Sequence, residues 1–255
     1  LGNRIAIFTN NDDAYRTAHD LHQLGVEIAA VIDSRPEAPK SNSFEVLSAS
    51  EVVNTHGRLG LNSIDVKTPQ GLRQIQVSGL GVSGGWNPNI HLTCHQRGRP
   101  QWDAALSAFI PSAELPEGLH VAGAANGQMT TAAAIDDAVK KAAKITKGFG
   151  RKPTMLTKLK ISDESTSITP FWYVTGTERG WVDQQNDVTV KDIKLAHQEN
   201  FRSVEHLKRY TTLGMATDQG KTSNVLGLAI MAHTAGQSIP DTGTTIYRPP
   251  YSPSA

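Results

Sequence analysis

The chain is poor in the features that would fix its class at once. It has one cysteine, Cys94, which excludes an intramolecular disulfide framework and any metal site built from a cysteine cluster. Charge of one sign is missing too: 25 Lys+Arg against 24 Asp+Glu leave a formal net charge of +1, without the basic surplus of a dedicated nucleic-acid binder. No apolar run approaches the roughly 20 residues of a membrane span, and Leu1-Gly2-Asn3-Arg4 runs into strand-like sequence with no signal-like start. These absences lead us to expect a soluble, cytoplasmic chain from a reducing compartment, with neither nucleic acid nor membrane as partner. The abrupt opening without Met reads as that of a fragment. At roughly 150 residues per domain, 255 residues suit one large domain or two modest ones.

What is present falls into two parts. Ile5–Thr9 reads as a buried strand, and Asn10-Asn11-Asp12-Asp13 offers capping and acidic groups ahead of a helix stopped at Gly25. Val26–Ile32 reads as a second strand, completing a βαβ unit with parallel strands. Residues 37–50 read as loop, and Glu51–Val77 as short alternating strands, notably Ser63–Val66 and Leu72–Val77. Leu119–Ala122 reads as another strand, followed by the turn Gly123–Gly127 and the clearest helix. Met129, Ala132, Ala133, Ile135, Val139, Ala142 and Ala143 form its apolar stripe, with Asp136, Asp137, Lys140, Lys141 and Lys144 on the polar face. The region 181–236 reads as helical without strands: Thr189 with Asp192 is a capping pair, Ser203 caps Val204–Tyr210, and Thr222-Ser223-Asn224 precedes the apolar run Val225–Ala232. The Pro-rich tail reads as linker.

Several motifs match by letter and fail by context. Gly79-Leu80-Gly81-Val82-Ser83-Gly84 spells a dinucleotide fingerprint, and Gly81–Gly85 a hydrolase elbow around Ser83. Both need a helix immediately afterwards, whereas Gly85-Trp86-Asn87-Pro88 follows; we read a glycine-rich turn after a strand. His91, Cys94 and His95 lie close in sequence, but His91 and His95 share one face of a strand-like run with Cys94 on the other, so packing is the reading. His19 and His22 read as surface residues. Gly220-Lys221-Thr222-Ser223 lacks the first glycine of a phosphate loop, yet a basic loop at a helix start suits a phosphate. The small residues of Gly123-Ala124-Ala125-Asn126-Gly127, with Thr130 and Thr131 in the first helical turn, suit either an anion at the helix N-terminus or tight strand–helix packing.

Trp181–Thr189, Arg202–Thr212 and Gly214–Asn224 together resemble the alpha subunit of heterotetrameric sarcosine oxidase. Ser83–Pro88, Val121–Gly127 and the closing Tyr247-Arg248-Pro249-Pro250-Tyr251 fit the same family, so the resemblance covers nearly the whole chain. It implies an α/β fold, part of a Rossmann-like flavin and pyridine-nucleotide oxidoreductase with two dinucleotide-binding domains, followed by a small all-α domain. Residues 1–78 would be the second Rossmann-like subdomain, 79–146 the return segment of the first, and 147–180 a linker. Residues 181–238 would be a small helical domain and 239–255 a Pro-rich linker to a folate-binding domain beyond this middle piece.

The resemblance also implies a function. Sarcosine is oxidatively demethylated to glycine with formation of peroxide, the one-carbon unit passes to tetrahydrofolate, and beta, gamma and delta subunits complete the assembly. FAD and the amine-oxidising site would belong to the beta subunit, so no catalytic residue is expected here and the isolated fragment should be inactive. Gly123, Ala124, Asn126, Gly127, Met129, Thr130 and Thr131 would line an NAD site; Thr217, Gln219, Lys221 and Thr222 would lie near FMN at the subunit boundary. Thr9–Ala14 lacks the glycines of a working second nucleotide site, and its acidic residues would repel a pyrophosphate, which makes that unit structural. Relatives that oxidise opines hold a [2Fe–2S] cluster on four cysteines; here Asp183, Gln185, Asp218 and Ser223 align with them, so no cluster is expected. The competing readings are an opine or proline dehydrogenase subunit with FAD in the nucleotide site, an assembly scaffold, and a serine hydrolase acting through Ser83.

Overall fold

The computed structural model describes residues 2–94, 98–154, 161–176 and 179–243, in two compact units: residues 1–86 with 165–178, and residues 87–164 with 179–255. In the first unit β1 (Arg4–Thr9), α1 (Asp13–Gln23) and β2 (Glu27–Asp33) form the expected βαβ, with β1 and β2 parallel. A two-residue strand β3 (Val46–Leu47) inside the presumed loop adds a parallel edge beside β2. The strands β4 (Glu51–His56), β5 (Ser63–Thr68) and β6 (Gly71–Gln76) make an antiparallel meander. Its apolar face meets the sheet: Val52, Ile64, Val66, Ile75 and Val77 pack with Ala6, Ala30 and Ile32. Ile7, Ile28 and Val31 pack instead with Ala14, Tyr15 and Ala18 of α1 and with Phe44. Side chains of alternating direction along β1 and β2 thus serve two cores, and the strands read as continuous apolar runs for that reason.

The Gly79–Ser83 stretch is corrected here. It is itself a strand, β7, parallel to β1 in a sheet of order β3-β2-β1-β7, and residues 84–90 after it are not helical. Gly79 and Gly81 lie against Ile5 and Ile7 of β1, where an added Cβ would come within 3.1 and 3.6 Å. Small residues are there to let two strands and their side chains approach, and Ser83 is no nucleophile on an elbow.

The second unit begins with a 3-10 turn, His91–Cys94, in place of the strand-like run expected there; Thr93 N–H and Oγ1 both donate to the Ile90 carbonyl and close it. The hairpin β8 (Gln101–Asp103) and β9 (Ala108–Ile110) follows, with Trp102 edge-on to Phe109. Leu119–Ala122 is not a strand, since no ladder partner lies beside it among the described residues. A 3-10 turn (Gly123–Asn126) then leads to α2 (Thr131–Gly148), none of whose residues is buried.

Residues 181–236 are helical apart from an unforeseen antiparallel pair, β10 (Trp181–Asp183) with β11 (Val188–Thr189). The helices are α3 (Val190–Gln198), α4 (Val204–Thr211), α5 (Asn224–Ala235) and, within the presumed linker, α6 (Ile239–Thr242). Thr189 and Asp192 form the reciprocal capping box, whereas the Ser203 side chain at the head of α4 makes no cap bond. Helix α5 is apolar all round because it is the centre of the layer, with Gly227–Ala232 buried and Gly227 against Leu213. No helix among the described residues is long and apolar enough to cross a membrane. Residues 244–255 of the tail lie outside the described ones.

Candidate functional site

The turn before α2 is built as a cradle for its own backbone. Gly123 (φ +68°) and Gly127 (φ +79°) take left-handed conformations that favour glycine. Gly127 N–H donates to the Ala124 carbonyl and Gln128 N–H to the Gly123 carbonyl. Asp137 departs from the polar face assigned to it: its Oδ2 accepts from Gly123 N at 3.0 Å and from Asn126 Nδ2 at 3.1 Å. Met129 is half-buried and Ala124 exposed. Thr130, placed by the sequence in the first helical turn, is the N-cap, its hydroxyl accepting from Ala133 N. The first-turn donors of α2 are engaged by carboxylates: Thr131 N and Oγ1 reach Glu164 Oε1 at 3.1 and 2.9 Å, and Ala132 N reaches Asp163 Oδ1 at 3.0 Å. Those donors face anionic oxygen atoms, as a positive helix end favours.

The second group, Leu213–Asn224, folds around two buried features. Asn224 fits between Gly214 (φ +66°) and Gly220 (φ +76°), where an added Cβ would overlap its amide. Asp218 gathers the loop: Oδ1 accepts from Gly220 N at 3.0 Å, and Oδ2 from Thr222 N at 3.2 Å and Thr222 Oγ1 at 2.7 Å. Lys221 is half-buried, its Nζ 3.4 Å from the Asp218 carbonyl, and Thr217 is exposed. Buried Gln219 Oε1 and Ser223 Oγ have no hydrogen-bond partner among the described residues.

Asp183, at the end of β10, plays a part like that of Asp218. Nearly fully buried, it accepts from the backbone N–H groups of Gln185 (2.9 Å), Asn186 (3.2 Å) and Gly214 (2.8 Å). Carboxylates thus tie the two loops together through amide hydrogen bonds. Among the described residues no three His, Cys, Asp or Glu side chains gather to hold a metal ion; His95 lies outside those residues. Buried His91 has Nδ1 2.7 Å from Asn89 Oδ1, and burial first, then the charge of Lys221, lowers its pKa and keeps it neutral near pH 7.

Burial is the largest influence on Asp218 and pushes its pKa up, but the Thr222 hydroxyl, the Gly220 and Thr222 amides and Lys221 outweigh it and hold the group below 3.8. A depressed folded-state pKa gives stability that is fully present above the unfolded value and lost as pH falls through the folded one. Acid should therefore loosen the 213–224 loop only below about pH 4, and Asp218→Asn should remove that part of the acid dependence. A carboxyl resonance of Asp218 titrating at or above 3.8 would contradict this.

The βαβ turn of the first unit has no glycine and a buried ion network. Asp33, fully buried at the end of β2, receives Arg35 in a fork, with Nε 3.0 Å from Oδ1 and Nη2 2.7 Å from Oδ2, and the Tyr15 hydroxyl at 2.8 Å. Arg35 Nη1 also lies 2.7 Å from Asp12 Oδ1. Burial alone would lower the Arg35 pKa, but Asp33 and Asp12 more than offset it; burial first, then Asp33, raises that of Tyr15. Asp13 is engaged by Arg16 and by Trp86 Nε1. Sequence reasoning foresaw the missing glycines but not this pairing, because Arg35 reads locally as part of a turn.

Compared with known proteins, residues 177–255 match the family described as the sarcosine oxidase A3 domain. Sarcosine oxidase subunit alpha of Rhizobium meliloti (strain 1021) is 38% identical over 99% of this chain and 26% of its own length. The Corynebacterium sp. (strain P-1) subunit alpha is 34% identical over 100% of this chain and 28% of its own length. The likeness is to the sarcosine oxidase alpha subunit. It runs the whole length of the chain, as the resemblance seen in the sequence does, and the chain spans about a quarter of the sarcosine oxidase relatives it matches. L-proline dehydrogenase from P. horikoshii superposes with a TM-score of 0.75 at 16% identity, over 100% of this chain and 49% of that one, a likeness of fold.

Proposed function

We propose that this chain is the nucleotide-holding middle part of a sarcosine oxidase alpha subunit. The whole protein would oxidatively demethylate sarcosine to glycine with peroxide as co-product and pass the one-carbon unit to tetrahydrofolate, with beta, gamma and delta subunits, in the cytoplasm. NAD would lie along Gly123, Ala124, Asn126, Gly127, Met129, Thr130 and Thr131. The observation that carries this is the pair of carboxylate groups on the α2 donors, Glu164 on Thr131 and Asp163 on Ala132. A pyrophosphate makes the same demand of a helix end: free N–H groups and a positive dipole. The residues therefore fit the anionic part of the cofactor once the carboxylates give way. Bound there, NAD would supply hydride-transfer capacity; the chain's own residues bind and orient it.

Thr217, Gln219, Lys221 and Thr222 would meet FMN at the boundary with the beta subunit, which would carry FAD, and the buried Gln219 Oε1, without a hydrogen-bond partner among the described residues, supports a further polar contact there. Of the stretch 79–146 expected to return to a first dinucleotide-binding domain, residues 79–86 belong with the first unit and 87–146 would make that return; the unburied apolar stripe of α2 supports a sheet of the longer chain packing on it. Residues 181–238 would be the cluster-less helical domain, followed by the linker to a folate-binding domain.

The test is mass spectrometry of nucleotide released from the full-length alpha subunit, separated from its partners under mild conditions. NAD is the expected product. FAD would replace this reading with an opine or proline dehydrogenase, and release of no nucleotide would leave an assembly scaffold.

A further inference from the structure

In an open α/β sheet the ligand crevice lies beyond the carboxyl ends of the strands, beside the βα turn. In the first unit that position is taken by the chain's own residues. Asp12 N–H donates to the Ser167 carbonyl at 3.0 Å, Thr169 N–H to the Asn10 carbonyl at 3.0 Å, and Asn10 Nδ2 to the Thr169 carbonyl at 2.8 Å. Asn11 and Ile168 form an antiparallel bridge. Arg35, already holding Asp33 and Asp12, reaches the Ser167 carbonyl with Nη1 at 3.2 Å, and the Ser165 hydroxyl donates to Asp12. Ile168 closes on Gly85, where an added Cβ would lie 2.5 Å from Cδ1, and Phe171 meets Phe8 of β1 edge-on at 5.9 Å.

We propose that the first unit is a clamp for the segment Ser165–Thr169, which fills the strand-end crevice through main-chain hydrogen bonds and excludes a dinucleotide from it. The absence of glycine from the turn and the presence of Arg35 then have one explanation. The Ser167 carbonyl accepts the amide of Asp12, just ahead of α1, and Arg35 serves peptide carbonyl and carboxylate together. Recognition is mainly by backbone, and the Ser165 hydroxyl and the Ile168 side chain add one contact each. This goes beyond the nucleotide role proposed for Gly123–Thr131 and stands whether or not that turn binds NAD.

Asn11 and Ile168 are flanked by the two ladder bonds and so form a non-hydrogen-bonded pair, the closer kind, which suits a disulfide. The full-length protein carrying Asn11→Cys and Ile168→Cys, oxidised with diamide, should form that bond in nearly every molecule, at a rate unchanged by millimolar NAD, with the retained nucleotide unaltered. A folded variant that forms no such disulfide, or one that NAD protects from oxidation, overturns the clamp. Should the variant not fold, hydrogen exchange of the unaltered protein decides: the amides of Asp12 and Thr169 should exchange at least ~100-fold more slowly than in unstructured peptide. Exchange at the unstructured rate overturns the proposal.

Discussion

Replacing Arg35 with alanine should destabilise the first unit by about 3–5 kcal/mol, the usual cost of stripping one partner from a buried ion pair. The arithmetic is unfavourable at this position because two acids lose the same cation. Asp33 is fully buried and, among the described residues, keeps the Tyr15 hydroxyl and the Arg35 amide as donors, and the Asp12 side chain is 14% exposed. The loss should appear as faster hydrogen exchange along β1 and β2, with the α3–α5 helices unaffected. Adding Asp33→Asn to Arg35→Ala should return part of the loss, because it neutralises the charge left behind, and the two effects should be non-additive. A loss below about 1 kcal/mol, the range of a surface pair, would show that the network is solvated.

Gly127→Leu should empty the proposed nucleotide site, lowering nucleotide retained by the full-length protein at least ~10-fold, a change of about 1.4 kcal/mol or more. Two effects act together. A residue with a Cβ held at φ +79° costs about 1–2 kcal/mol, and the new Cβ would stand 2.9 Å from Ile110 Cγ2 and 3.1 Å from Leu106 Cδ1 of the adjoining hairpin. The turn must move, and with it the Thr130 cap and the Thr131 and Ala132 donors. Gly123→Ala is the comparison: its φ is +68° but the nearest atom to the new Cβ is 3.6 Å away, so it carries the conformational cost without the collision. It should retain more nucleotide than Gly127→Leu. Full retention in Gly127→Leu, quantified by mass spectrometry, would remove the turn from the site.

Much of the architecture was readable because it is written in short-range patterns. Ile5–Thr9 and Val26–Ile32 are dense in branched residues, Gly25 stops α1, and Ser63–Val66 alternates because one face of the meander is covered and the other is not. Thr189 and Asp192 lie three residues apart, within reach of each other's backbone, so the capping box could be foreseen. Gly79–Ser83 misled because glycines that admit a neighbouring strand look like glycines of a turn. Leu119–Ala122 misled because strand-like composition is not a strand without a partner.

The sequence alone determined the βαβ order, the helical character of the last third, the absence of cysteine clusters and, through the 181–224 segment, the family likeness. Only the tertiary structure decided which groups face one another across long separations. Ser83 meets Thr9 at 74 residues' distance and Thr169 meets Asn10 at 159, and Asp137 turns from the polar face of α2 to Gly123, 14 residues back. Periodicity records which face of an element is covered. It carries no record of what covers it, and an unfilled crevice and one filled by the chain's own carbonyls leave the same local pattern.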